Sequence, residues 1–330
     1  MNRRHFVKGL GLCVAALGAG VDASRSLASS SPSLASSSRS LVSSSRVPVR
    51  PQVAITMDDF NLFDTPALSA EARNSAILDA LGRRGLQAAA FVTVKYVQKG
   101  DNMRLLRQWD ERGHLIGNHT YSHPEYPDEG FAEFSREVLR AEEVLKQLPR
   151  FKKFFRFPFL KEGSTPRQRD LMRAFLRSHG YRNGHVTIDA SDWYVDQRLR
   201  ARLEKNPHAA LSPYRDFYLS HIRERALYYD DLARRVLGRT IKHTLLVHHN
   251  VLNGLFLEDL LGMFEREGWE LTGAEHAYAD PVFNSEPRTA PAGESLVWAL
   301  AKQAGKFESL LRYPGEDGEY EKPKMDALGL

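Results

Sequence analysis

Residues 53–59 read VAITMDD, five uncharged residues followed by two adjacent acids. A run rich in β-branched and apolar residues, without polar alternation, is the pattern of a strand buried on both faces, as in parallel sheets. Working outward, residues 70–84 carry a helical pattern and 88–94 (AAAFVTV) form the next strand run. A helix follows at about 102–112, ended by Gly113, and then a short strand at 114–117. Residues 130–148 predict a charged amphipathic helix, 154–157 a strand, 166–179 a helix and 185–189 a strand. A long polar segment covers 197–240. Strand 244–247, helix 255–267 and a terminal strand near 269–272 complete the series. Repeated strand–helix units predict an α/β fold with a parallel sheet covered by helices, either barrel or doubly wound. In both, functional side chains gather where strands end and loops begin.

The flanks read differently. Residues 1–23 (MNRRHFVKGLGLCVAALGAGVDA) join a charged start to a short Gly- and Ala-rich apolar stretch and a small-residue cleavage pattern, which predicts a signal peptide. Arg3-Arg4-His5-Phe6-Val7-Lys8 resembles a twin-arginine export signal. Residues 24–50 are dominated by serine and predict a flexible linker. These expectations place the protein outside the cytoplasm, periplasmic or extracellular, with no stable membrane span after cleavage. From about residue 281 the alternation is lost and prolines accumulate, so 281–330 reads as a C-terminal extension that wraps the surface or frays.

Charge and cysteine content narrow the chemistry. Residues 1–50 hold seven basic residues and one acid, a net of +6 out of the whole chain's +5, which leaves −1 for residues 51–330. The basic pI of about 9.2 belongs to the leader, and no phosphate-backbone footprint, hence no nucleic-acid partner, is expected of the globular part. The one cysteine, Cys13, also lies in the leader. A metal held by the remainder would therefore have nitrogen and oxygen ligands.

Several short patterns carry candidate chemistry. Asp58 and Asp59 end the first strand; alone, such a pair reads as a turn or cap. His119-Thr120-Tyr121-Ser122-His123 spaces two histidines as on one face of a helical turn, where both can reach one cation. With Asp59 they make a two-histidine, one-carboxylate set with open positions. Arg156, inside an aromatic run (FFRFPF, 154–159), needs a carboxylate partner if buried, and Asp58 is the obvious one. Asp189, Asp192 and Trp193 close a further strand, Trp193 as core or as a wall for sugar stacking. His248 or His249 at the end of 244–247 is a candidate general acid. Tyr214, Tyr218, Tyr228 and Tyr229 in the polar segment read first as helical core and second as substrate contacts.

Taken in order, these patterns resemble the polysaccharide deacetylase family, carbohydrate esterase family 4. Thr56-Met57-Asp58-Asp59-Phe60 is similar to its Thr-Phe-Asp-Asp-Gly motif, and His119 to His123 matches its H-[ST]-x-x-H. Arg156-Phe157-Pro158-Phe159, Asp189 to Trp193, and Leu246-Val247-His248 match three more. The resemblance implies a distorted seven-stranded parallel (β/α) barrel over 51–280, with a helical insertion before the last strand. It implies Asp58 as base held by Arg156, and a metal on Asp59, His119 and His123. Zinc suits these ligands best, and cobalt or nickel would also fit. It further implies a backbone N–H at Phe159 for the oxyanion and Trp193 beside the substrate. His248 is the implied acid, with Asp192 behind it and Asp189 as runner-up. The expected reaction is hydrolysis of N-acetyl groups on an extracytoplasmic glycan. O-acetyl ester hydrolysis and an inactive glycan-binding scaffold are the alternatives. Phe60 replaces the family's glycine, Met57 its phenylalanine, Phe159 a frequent tyrosine, and His249-Asn250 an acid.

Overall fold

The computed structural model describes residues 50–312 and 318–330. The expected signal peptide and nearly all of the serine-rich linker lie outside these residues. Along the chain run β1 (Gln52–Asp59), α1 (Ala70–Gly82), β2 (Ala89–Val92), α2 (Val94–Val97), α3 (Met103–Glu111) and β3 (Leu115–Asn118). Next come α4 (Tyr126–Glu129), α5 (Phe131–Leu145), β4 (Phe151–Phe155), β5 (Lys161–Gly163), α6 (Pro166–Ser178) and β6 (Arg182–Asn183). The chain continues through α7 (Asp192–Lys205), α8 (Ser212–Leu237), β7 (Lys242–His248), α9 (Val251–Arg266), β8 (Glu270–Leu271) and α10 (Ala274–Tyr278). Last are β9 (Ala292–Gly293), α11 (Leu296–Ala304) and α12 (Glu321–Ala327).

The main sheet has seven strands in the order β6-β4-β3-β2-β1-β7, with β8 beside the start of β1, and every pairing in it is parallel. Six of the eight residues of β1 are buried, as its apolar run predicts for a strand covered on both faces. The barrel is incompletely closed. Residues 182–188 bridge its open side: Arg182 and Asn183 pair with β4, and Ile188 makes a single bridge to Leu245 of β7. The strand expected at 185–189 is thus reduced to one ladder contact.

The helices cover the strands, and local signals explain their ends. Ser69 caps α1 by accepting the Ala72 N–H. Thr165 and Gln168 form a reciprocal capping box on α6, with Pro166 at its first position. Asn250 caps α9 by accepting the Asn253 N–H, so this helix starts at Val251, four residues before the apolar pattern alone suggests.

The polar segment at 197–240 resolves into α7 and the 26-residue α8, the helical insertion before β7. Tyr214, Tyr218 and Tyr229 are buried in the core, and the Tyr228 hydroxyl donates to the Leu310 carbonyl. Tyr214, Tyr218 and Tyr229 thus pack the interior, and the half-buried Tyr228 packs against it. Among the described residues the C-terminal segment packs onto the fold rather than fraying. β9 pairs antiparallel with β5, the Leu296 N–H donates to the Val186 carbonyl at 2.7 Å, and Met325 of α12 is fully buried. Among the described residues no helix is long and apolar enough to cross a membrane.

Candidate active site

Parallel strands deliver their last residues to one rim, and the candidate residues collect there. Asp58 and Asp59 end β1, with Asp58 in register with His248 of β7 and Asp59 with Val92 of β2. Asp59 and Phe60 adopt positive φ of 73° and 58°, turning the chain sharply out of the strand.

His119 and His123 follow β3, but not on the expected helical turn. Thr120 and His123 have φ of 69° and 67°, incompatible with a right-handed helix. The loop is fixed by side chains instead. Asn118 Oδ1 accepts the Thr120 N–H at 2.8 Å, Thr120 Oγ1 accepts the His123 N–H at 3.0 Å, and Glu137 accepts from the Ser122 N–H and hydroxyl. This folding still brings both imidazoles together, with ring centroids 4.9 Å apart.

One ligand atom each from Asp59, His119 and His123 lies within 4.8 Å of the others. His123 Nε2 is 3.2 Å and His119 Nε2 3.5 Å from Asp59 Oδ1. The His119 Nδ1 is 2.9 Å from the Arg156 carbonyl; it must donate there, which leaves the Nε2 lone pair on the side of Asp59. Asp59 Oδ1 is buried and accepts no hydrogen bond among the described residues. A buried carboxylate oxygen without a donor, flanked by imidazole nitrogens, fits a divalent cation.

Arg156 is 1% exposed, a burial that would be costly without partners. It has them. Its Nη1 donates to Asp58 Oδ1 at 2.6 Å and Thr56 Oγ1 at 2.9 Å, its Nε to the Gly184 carbonyl, and its Nη2 to the Tyr278 hydroxyl. The guanidinium lies 3.9 Å from the centroid of Phe91, a cation–π contact. Two glycines make room for that ring: a Cβ on Gly117 would fall 2.8 Å from it, and one on Gly184 closer still.

On the opposite side, Asp192 is fully buried at the first position of α7. Its Oδ1 is 2.7 Å from His248 Nδ1. Its Oδ2 accepts from the His248 N–H, Asn250 Nδ2 and Asn253 Nδ2, each at 2.9 Å. Burial works against a charge on His248, but the Asp192 carboxylate, followed by Asp59 and Asp58, pushes its pKa up to about 10. A cation beside Asp59 would lower that value. Asp189 is buried elsewhere, within electrostatic reach of Arg225 and Tyr229. His249 is also buried: its Nε2 is 3.0 Å from Asn74 Oδ1, and burial, then the Arg73 charge, pushes its pKa down to about 3. Asp58, Asp59, His119, His123 and His248 line one pocket with Phe159 and Trp193 on its walls, and His249 does not. The Phe159 ring packs edge-on against His123 at 4.7 Å.

Residues 46–184 match the family model described as polysaccharide deacetylase. Over residues 46–184 the chain carries a polysaccharide deacetylase domain. A peptidoglycan-N-acetylglucosamine deacetylase of Bacillus cereus is 33% identical over 110 residues, covering 33% of this chain and 36% of that protein. A chitin deacetylase of Colletotrichum lindemuthianum is 30% identical over 112 residues, covering 33% and 42%. The matches thus span less than half the length of these curated relatives. Among solved structures, the Bacillus subtilis peptidoglycan deacetylase PdaC is 18% identical with a TM-score of 0.45, covering 70% of this chain and 91% of that one. A Bacillus anthracis pseudoenzyme of carbohydrate esterase family 4 is 15% identical with a TM-score of 0.48, covering 70% and 66%.

Two of the departures from that family's motifs, Phe60 and His249, touch each other. Phe60, where the family has glycine, keeps the left-handed φ and is fully buried, 4.9 Å from Trp109 and 5.0 Å from His249. Asn250, in place of an acid, donates to Asp192 and caps α9. Sequence reasoning missed Tyr278, Asn253 and Asn74. Tyr278 and Asn253 contact the arginine and carboxylate partners of the site from α10 and α9, and no motif spacing marks either. It also missed the C-terminal link: His221 Nε2 accepts the Ser191 N–H at 3.1 Å, and its Nδ1 is 3.4 Å from Glu321 of α12.

Proposed function

We propose that this protein is a metal-dependent hydrolase that removes acetyl groups, foremost N-acetyl groups, from a glycan outside the cytoplasm. The observation that carries this reading is the convergence on one pocket of the Asp59–His119–His123 triad, the Arg156-held Asp58 and the Asp192-held His248. Asp59, His119 and His123 would hold zinc, or cobalt or nickel, which supplies Lewis acidity toward an acetyl carbonyl and a water. Asp58, with one oxygen fixed by Arg156, takes the proton from water as it adds to the carbonyl carbon. The backbone N–H of Phe159 donates to the oxyanion of the tetrahedral intermediate. His248, charged and oriented by Asp192, donates its proton to the sugar nitrogen as the C–N bond breaks. Acetate and a free amine leave. Trp193 forms the wall against which the sugar ring packs.

The export signal expected at the N-terminus and the cell-wall substrates named for the relatives support an envelope or extracellular glycan. O-acetyl esters would use the same residues, with an alkoxide in place of the amine. Acetate release by the zinc-loaded chain across N-acetylglucosamine oligomers, acetylated xylan and acetylated alginate tests the reading. Release from the first supports it, release from the ester polymers alone reassigns the bond, and release from none sinks it. An inactive glycan-binding scaffold predicts that last outcome together with glycan binding.

A further inference from the structure

Asp192 holds His248, and the groups that brace Asp192 come from further along the chain. Asp192 opens α7, with Ser191 as the residue before the helix. The Ser191 N–H donates to His221 Nε2 at 3.1 Å, and His221 is buried on α8. A ring nitrogen that accepts a hydrogen bond carries no proton, so the His221 proton sits on Nδ1. Nδ1 faces Glu321 Oε1 of α12, 3.4 Å away. Burial, and after it the Arg225 charge, pushes the His221 pKa well down, which keeps the ring neutral and Nε2 able to accept.

The same face of α8 reaches Asp192 by a second route. Tyr218, three residues before His221, donates its hydroxyl to Asn253 Oδ1 at 2.6 Å, and Asn253 Nδ2 donates to Asp192 Oδ2. Arg225, four residues after His221 and on the same side of the helix, donates to Glu321 Oε1 at 3.1 Å. Arg225 and Glu321 are both buried, so a pair of buried charges joins α8 to α12. α12 and the residues after it also grip α7 beyond its first turn. Arg198 donates to Asp326 and to the Leu330 main-chain oxygen, and Arg202 donates to that of Gly329. Neither His221 nor Glu321 lines the catalytic pocket.

We propose that Glu321 and His221 are positioning residues for proton transfer. Glu321 sets the tautomer with which His221 holds the Ser191 N–H, and that hold fixes the Asp192–His248 pair. The proposal rests on the hydrolytic reading for the reaction, but the placement of Asp192 is a property of the chain with or without turnover. A carboxylate that drifts by about 1 Å misplaces the acid enough to cost up to about a hundredfold in rate. Glycan binding should be spared, because neither residue lines the pocket.

The test compares Glu321→Ala, His221→Leu, His221→Gln and His221→Gln/Glu321→Ala, each checked for folding by circular dichroism. Acetate release by the zinc-loaded full chains gives kcat and KM. Proton NMR of the zinc-free chains follows the downfield signal of the proton between His248 Nδ1 and Asp192. His221→Leu and Glu321→Ala are expected to lower kcat about tenfold or more with KM within about twofold of wild type, and to broaden or lose the NMR signal. Glutamine offers an amide oxygen near the position of Nε2 and has no tautomer to set. His221→Gln should therefore recover most of kcat and the signal, and Glu321→Ala added to it should cost less than about twofold. If His221→Leu does not fold, Glu321→Ala and the glutamine pair decide alone. Wild-type kcat and signal in folded Glu321→Ala, or an equal loss from Glu321→Ala in both backgrounds, overturns the proposal. A wild type that releases no acetate removes the hydrolase and leaves the NMR comparison to decide the positioning. Acetate release with an NMR signal indifferent to all four variants removes the positioning and leaves the hydrolase.

Discussion

Replacing Asp192 with asparagine keeps the side chain's shape and removes its charge. Asp192 is fully buried, and its contact with His248 Nδ1 is 2.7 Å. Burial alone lowers the pKa of an imidazole, so the rise to about 10 depends on carboxylates, with Asp192 the foremost and Asp59 and Asp58 adding to it. Without Asp192, His248 should titrate at least two units lower, a loss on the order of 3 kcal/mol in the preference for the charged ring. A proton donor of that kind contributes about a hundredfold or more to rate, so kcat/KM should fall by at least that much.

The sign of the stability effect follows from the raised pKa. Stabilisation by charged His248 is fully present below its unfolded pKa of roughly 6.5 and is lost as pH rises through about 10. The gap in unfolding free energy between wild type and Asp192→Asn should therefore be widest below about pH 6.5 and narrow toward pH 10. NMR titration of the His248 ring in both proteins, with denaturant unfolding at several pH values, measures both effects. A His248 ring that titrates at the same pH in both, or a gap that widens as pH rises, would refute the reasoning.

Other substitutions probe the frame of the site. Phe60→Gly relieves a left-handed φ worth about 1 kcal/mol but removes a fully buried ring, so the net outcome is destabilisation by about 2–4 kcal/mol in urea unfolding. Stabilisation would show that the ring's packing on Trp109 and His249 contributes little. Gly184→Ala forces its Cβ into Phe91, the ring beneath Arg156, and should cost about 1–3 kcal/mol of stability. Its kcat should fall with little change in KM, because the arginine that holds Asp58 shifts; wild-type kcat in this variant would contradict that chain of contacts.

The positions of most strands were legible because parallel strands buried on both faces leave an unmistakable apolar run, as in VAITM at 53–57; their order in the sheet was not. The triad residues were legible by identity but not by conformation. The i, i+4 spacing of His119 and His123 suggests a helix, whereas Asn118, Thr120 and Glu137 hold a left-handed loop that no periodicity reports. The early start of α9 was hidden for a related reason: Asn250 caps the helix before its apolar pattern begins. Tyr278 and Asn253 were invisible because their contacts to Arg156 and Asp192 exist only once distant helices pack. The tail's prolines suggested fraying, yet β9 and α11 find edges and faces already built by the barrel.

The central claim is that Asp59, His119 and His123 together hold a divalent cation. Elemental analysis of the purified chain after zinc loading and extensive dialysis tests it most directly. The account predicts one tightly held zinc per chain in the wild type and none in His119→Ala/His123→Ala, with both proteins folded by circular dichroism. A folded wild type that retains no metal, or a double variant that retains as much as the wild type, would contradict it.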